Sequence, residues 1–129
     1  MIPDRFQPYT YALMRLVFGA LFLCHGLQKY GFLGGEAAPF LSWHRGVAGP
    51  LEVVFGAAIA IGLLTRPFAF LASGQMAFAY FYVHQPMGPL PVQNGGEPAV
   101  LFCFAFLYIA SRGAGIWSVD GMRRRSYYT

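Results

Sequence analysis

The chain has 129 residues, of which 57% are hydrophobic and only 11% charged, with a formal net charge of +4. Soluble domains average about 25% charged residues, and a chain this short cannot hide so much apolar surface in a core of its own. These proportions exclude an ordinary water-facing domain and leave room for a single membrane domain over residues 1–129.

After a short polar arm, residues 1–10, the first apolar run covers about residues 11–27 and carries Arg15 within it. No small-x-small cleavage site follows and three more apolar runs come behind, so an uncleaved helix is expected rather than a signal peptide. The second run, about 47–64, contains LEVVFGAAIAIGLL with Glu52 near its start. The third covers about 67–83 and the fourth about 98–112. Each is long enough, or nearly so, to cross about 30 Å of hydrocarbon as a helix. The fourth is short, and residues 113–117 are expected to continue it along the interface, where Trp117 is favoured.

The breaks between runs have turn chemistry. Pro67 and Pro98 suit a first helical turn, which tolerates a missing N–H. Residues 84–96 contain Pro86, Pro89, Pro91 and the Asn94-Gly95-Gly96 turn, and cannot be helical throughout. The apolar runs do not alternate with polar residues, which disfavours a β-barrel. Backbone polar groups in lipid must be satisfied internally. The predicted fold is therefore all-α, an integral membrane four-helix bundle. Small residues such as Gly19, Gly26, Gly56 and Ala60 would let its helix backbones approach closely.

Four spans put both termini on one side, together with Arg5, Arg66, Arg112, Arg123, Arg124 and Arg125; the other side holds Lys29 and Arg45. The positive-inside rule then makes both termini cytoplasmic. The Arg123-Arg124-Arg125 run is expected to be a topology signal in contact with lipid headgroups. No nucleic-acid motif accompanies it, so the expected partner is the bilayer and not nucleic acid.

The same topology collects ionisable residues in the outer half. His25 closes the first run, Glu52 opens the second, His84 closes the third and Glu97 opens the fourth, so each half of the chain carries a His and a Glu in similar layout. Parallel repeats of this kind often place a site between the halves. His and Glu within hydrogen-bond distance can share a proton near neutral pH. His25, Glu52, His84 and Glu97 are also a conceivable zinc set, but no tight spacing such as HxxxH is present and no metal is expected. Against a chemical role stands the interface itself: a His can sit among headgroups, and a Glu at a helix start is favoured by the macrodipole alone. Glu52 is the hardest to dismiss, because an unpaired carboxylate in an apolar run is costly. Its natural partners are Lys29, His25 and Arg45.

Three polar residues are expected to be structural. Arg15 either snorkels to the cytoplasmic headgroups or pairs with Asp120 on the same side. Gln75, in mid-run, suits an interhelical hydrogen bond. Cys24 and Cys103 lie in no CxxC motif and suit small buried hydrophobes; a redox pair would need their two helices to touch.

The segments RLVFGALFLCHGLQKYG (15–31), GPLEVVFGAAIAIGLLTRP (49–67), NGGEPAVLF (94–102) and GAGIWSVD (113–120) together resemble the DoxX family of small four-helix bacterial membrane proteins. The last segment departs mildly, with Ala114 where the family more often has Pro. The resemblance implies a location in the bacterial inner membrane and marks Arg15, His25, Lys29, Glu52, Asn94 and Glu97 as matching motif positions. His84 rests on layout alone. The family takes its name from a subunit of a thiosulfate:quinone oxidoreductase, and relatives are associated with redox membrane complexes.

Two functions compete, with a third behind them. The first is a membrane subunit of an electron-transfer complex, in which His25, Lys29, Glu52, His84, Asn94 and Glu97 hold a quinone headgroup or move its protons. The second is a non-catalytic assembly subunit that binds other membrane or redox proteins through an aromatic surface. A small-solute transporter ranks last, because four short helices leave little room for a path. The sequence has no dinucleotide fingerprint, haem-attachment CxxCH, iron–sulfur cysteine set or phosphate loop. Covalent cofactors and a self-sufficient enzyme are therefore not expected.

Overall fold

The computed structural model describes residues 1–127 and contains no strand among them. After a 3₁₀ turn at Asp4–Phe6, α1 runs Gln7–Gln28 and α2 runs Gly49–Ile61, entered through a π-helical turn at His44–Ala48. Helix α3, Thr65–Ala79, continues as a π-helical turn at Tyr80–His84. A short α4, Pro91–Asn94, precedes α5, Glu97–Arg112, and α6, Val119–Ser126, closes the described chain.

The two halves of the sequence are also halves in space. Helix α1 packs along α2, and α3 along α5; between the halves α2 approaches α3 most closely by backbone, while α1 and α5 meet through their side chains. Glycine makes the first pairing possible. A Cβ on Gly56 would lie 2.4 Å from the Leu23 backbone nitrogen, and one on Gly19 would lie 2.5 Å from that of Ala60. The two backbones are in direct contact, which dispersion favours without help from burial.

Aromatic packing fills the centre, with Phe22 against Phe106 at 4.8 Å and Phe18 edge-on to Phe102 at 5.6 Å. The outside is apolar as well. Leu101 and Phe104 on α5 are 63% and 65% exposed, and Phe70 on α3 is 65% exposed. Among the described residues one continuous helix, Asp4–Gln28, is long and apolar enough to cross a membrane by length and composition.

One element differs from expectation. Residues 113–118 do not continue α5 along an interface. Gly113, Gly115 and Trp117 take positive φ of 94°, 71° and 54°, so the chain leaves the helix and folds back across its end. The arginine run that follows is helical, and Ser118 caps α6: its Oγ accepts from the Gly121 N–H at 3.0 Å. The α2–α3 turn is shaped to receive this segment. Gly62 sits at φ 73°, and a Cβ there would meet the Ser118 Cβ at 2.3 Å.

Candidate functional site

Helix α1 ends, α2 begins, α3 ends and α5 begins at the same end of the molecule. A cavity of about 270 Å³ opens there between the two halves. From the first half it is lined by Phe22, His25, Lys29 and Glu52; from the second by Gln75, His84 and Phe102. Trp43 and His44, just before α2, also reach it. The predicted His25, Lys29, Glu52 and His84 are thus brought to one wall-to-wall space, joined by two residues that sequence reasoning missed.

The ion pair is the firmest part of the site. Lys29 Nζ donates to Glu52 Oε2 at 2.5 Å, with side-chain exposures of 21% and 5%. Helix ends explain why the charges settle there: Lys29 follows the last residue of α1, and Glu52 lies in the first turn of α2, so each faces the favourable end of a macrodipole. His25 stands one turn before Lys29, on the same helix face. Its ring meets Phe102 edge-on at 5.6 Å.

Two further side chains offer hydrogen bonds of defined sense. Gln75 Nε2 donates to the Ala48 carbonyl at 3.3 Å, an interhelical bond of the kind anticipated. Its Oε1 is buried and accepts nothing from the described residues. His84 Nδ1 lies 3.2 Å from the Asn94 carbonyl oxygen, which can only accept. A hydrogen bond here requires the proton on Nδ1; with a single ring proton, Nε2 is then an acceptor.

Asn94 and Glu97 stand apart from this lining. Asn94 is buried, but its amide is used locally: Nδ2 donates to the Gly88 carbonyl and Tyr80 hydroxyl at 3.0 and 3.3 Å, and Oδ1 accepts from the Gly96 N–H at 2.9 Å. It fixes the proline-rich loop and, through its carbonyl, orients His84. Glu97 is exposed at the start of α5. Among the described residues no three His, Cys, Asp or Glu side chains converge, so the set His25, Glu52, His84 and Glu97 is not assembled as a metal centre. Cys24 and Cys103 are free thiols, and Cys103 Sγ lies 3.5 Å from Ser73 Oγ.

At the opposite end Arg15 is 1% exposed, so it does not snorkel, and its hydrogen bonds do not go to Asp120. The guanidinium instead donates to backbone carbonyls of the folded-back loop: Ala114 and Ile116 from Nη1, and Trp117 from Nη2 at 2.7 Å. Tyr11 adds a bond from its hydroxyl to the Gly113 carbonyl at 2.5 Å. Asp120 is engaged elsewhere. Its carboxylate accepts from the Leu64 and Thr65 N–H groups, both at 2.9 Å, and its own N–H donates to the Gly62 carbonyl at 2.9 Å.

Partial burial of Asp120 works against its charge, but the backbone donors of Thr65 and Leu64 and the nearby Arg123 outweigh it and hold the carboxyl below the usual aspartate range. A carboxyl depressed by folding stabilises the fold above its unfolded value, and that contribution is lost as pH falls through the folded one. Thermal unfolding in detergent should therefore show stability dropping as pH falls below about 4. Asp120→Asn should start less stable at neutral pH and show a flatter acid limb; an unchanged limb would count against this role.

The DoxX family model matches residues 10–85 of the chain. A protein of Haemophilus influenzae, described as an uncharacterized protein, is 38% identical over 128 residues, covering 91% of this chain and 92% of its own length. No solved structure matches. With more than half its length inside the family match and a relative this similar along nearly all of it, the chain belongs to the DoxX family of membrane proteins.

Proposed function

We propose that the chain is a four-span, single-domain subunit of a redox complex in the bacterial inner membrane, with both termini cytoplasmic, and that its outer-end cavity receives a quinone headgroup and handles its protons. Helical length supports three of these spans, and α5, Glu97–Arg112, is the short one at about 24 Å. Residues 65–84 run helically for about 30 Å, and residues 44–61 for about 27 Å, at 1.5 Å per residue. The outward-facing apolar side chains of every long helix suit contact with acyl chains.

The observation that carries the quinone reading is the cavity's composition. Apolar walls from Phe22, Met76, Phe78 and Phe102 surround a buried ion pair, an unpaired amide oxygen on Gln75 and two histidines besides His25. A quinone needs a flat apolar slot, a donor to each carbonyl oxygen, and groups that give or take the protons accompanying its reduction. Lys29, His25 and His44 supply donors; Gln75 Oε1 and His84 Nε2 supply acceptors for the hydroquinone hydroxyls. Electrons would have to come from a partner, since the sequence has no motif for a bound redox centre of its own.

A short-chain ubiquinone analogue titrated into detergent-solubilised Trp117→Phe protein tests this, because Trp43 then reports from the cavity rim. Saturable quenching is expected, weakened about tenfold by Gln75→Leu or His25→Ala, each the loss of about 1.4 kcal/mol of hydrogen bonding. Quenching that never saturates, or that ignores both substitutions, would leave the assembly-subunit reading. That rival draws on Arg15 and the Lys29–Glu52 pair as clasps, and predicts that the same changes alter only protein level and complex formation.

A further inference from the structure

The end opposite the cavity carries a second concavity of about 1370 Å³, an open groove between the α2–α3 turn, the folded-back loop and α6. Arg66, Arg112, Arg123, Arg124 and Arg125 line it against one carboxylate, Asp120. That carboxylate is already occupied by two backbone N–H groups. A run of arginines serving only as a topology signal needs no fixed position. Here the run is built in: Ser118 caps α6, Asp120 ties it to Gly62, Leu64 and Thr65, and Arg15 holds the loop that leads into it.

The groove also has an apolar flank. Leu16, Ile61 and Leu64 line it and are each about half exposed, continuing into Leu13 and Val17 along α1. Trp117 and Tyr9 also line it, with ring centroids 5.4 Å apart, an amphipathic pair of the kind favoured at headgroup depth. Cations, an aromatic pair and exposed aliphatic side chains in one groove match the parts of a phospholipid, from phosphate to acyl chain.

We infer that this groove is a binding site for one anionic diacyl phospholipid of the phosphatidylglycerol class, its phosphate held by the α6 arginines and its chains against Leu16, Ile61 and Leu64. The site rests on membrane location and is independent of what the cavity at the other end binds. Trp117 and Trp43 are the two tryptophans of the chain, so Trp43→Phe leaves a single reporter in the groove. The full chain carrying that change would be placed in phosphatidylcholine nanodiscs doped with acyl-brominated phosphatidylglycerol or acyl-brominated phosphatidylcholine.

Stronger quenching of Trp117 by the brominated phosphatidylglycerol is expected. Adding Arg123→Gln with Arg124→Gln should cut the preference by roughly 25-fold, about fivefold per arginine near an anionic surface. Equal quenching by the two lipids would overturn the site, and so would a preference indifferent to the arginine changes. Inorganic phosphate, compared with chloride at matched ionic strength, separates the sources of the phosphate group: if it abolishes the preference, the groove reads free phosphate and the lipid assignment fails. A chain that never enters the discs would sink the membrane reading itself, whereas one that enters without preference sinks only the groove.

Discussion

Lys29→Met should destabilise the folded chain by about 3–5 kcal/mol, because it leaves Glu52 charged, buried and alone. The carboxylate is about 5% exposed, and Lys29 is the hydrogen-bond partner it has in the structure. The substitution keeps most of the lysine's length and apolar stem, so lost packing is a minor part of the effect. Thermal unfolding in detergent would measure it. The double variant Lys29→Met with Glu52→Gln should recover most of the loss, since a neutral amide no longer needs a cation. If the double is as unstable as the single, geometry rather than charge balance is the reason and the pair is not a clasp. Full stability of the single variant would show that Glu52 is neutral there without Lys29.

The second large effect is expected at Arg15. Arg15→Ala removes the donors to the Ala114, Ile116 and Trp117 carbonyls and leaves a void where a side chain 1% exposed had been. Bonds to a charged donor are each worth about 1.5–3 kcal/mol, partly offset by no longer burying a cation. A net loss on the order of 3 kcal/mol follows. Its signature is local: hydrogen exchange should speed up over residues 113–121 well before the α1–α2 interface is affected. Arg15→Lys should recover only part, because an ammonium cannot span carbonyls that the planar fork reaches together. Exchange that accelerates uniformly through the chain would contradict this division of labour.

The long apolar runs made the helices readable, and the loop-to-helix order made it readable that His25, Lys29, Glu52 and His84 share one end. Helix ends are set by where hydrophobicity stops, and that is visible in one dimension. What joins them was not. Trp43 and His44 lie in a stretch without periodicity, brought to the cavity by a π-helical turn that no residue pattern announces. Asn94 looked like a site residue because the NGGE motif drew the eye; its amide proved to close the turn itself. Glu97 precedes Pro98 at the start of α5, where the macrodipole stabilises an exposed carboxylate without a partner. The error at Arg15 had the plainest cause. A sequence displays carboxylates as partners for an arginine, but it does not display backbone carbonyls freed by glycines at positive φ.

Arg15 also imposes an order on synthesis. Its acceptors are made 99 to 102 residues later, on the loop after α5. At about 5–20 residues per second, translation leaves α1 without that loop for several seconds or more. On a four-span topology α1 enters the bilayer with a cation it cannot yet satisfy, near enough to its polar end to be hydrated meanwhile. The bundle can shut that end only after the loop following α5 emerges, so synthesis of residues 114–117 becomes a condition for Arg15 to be satisfied.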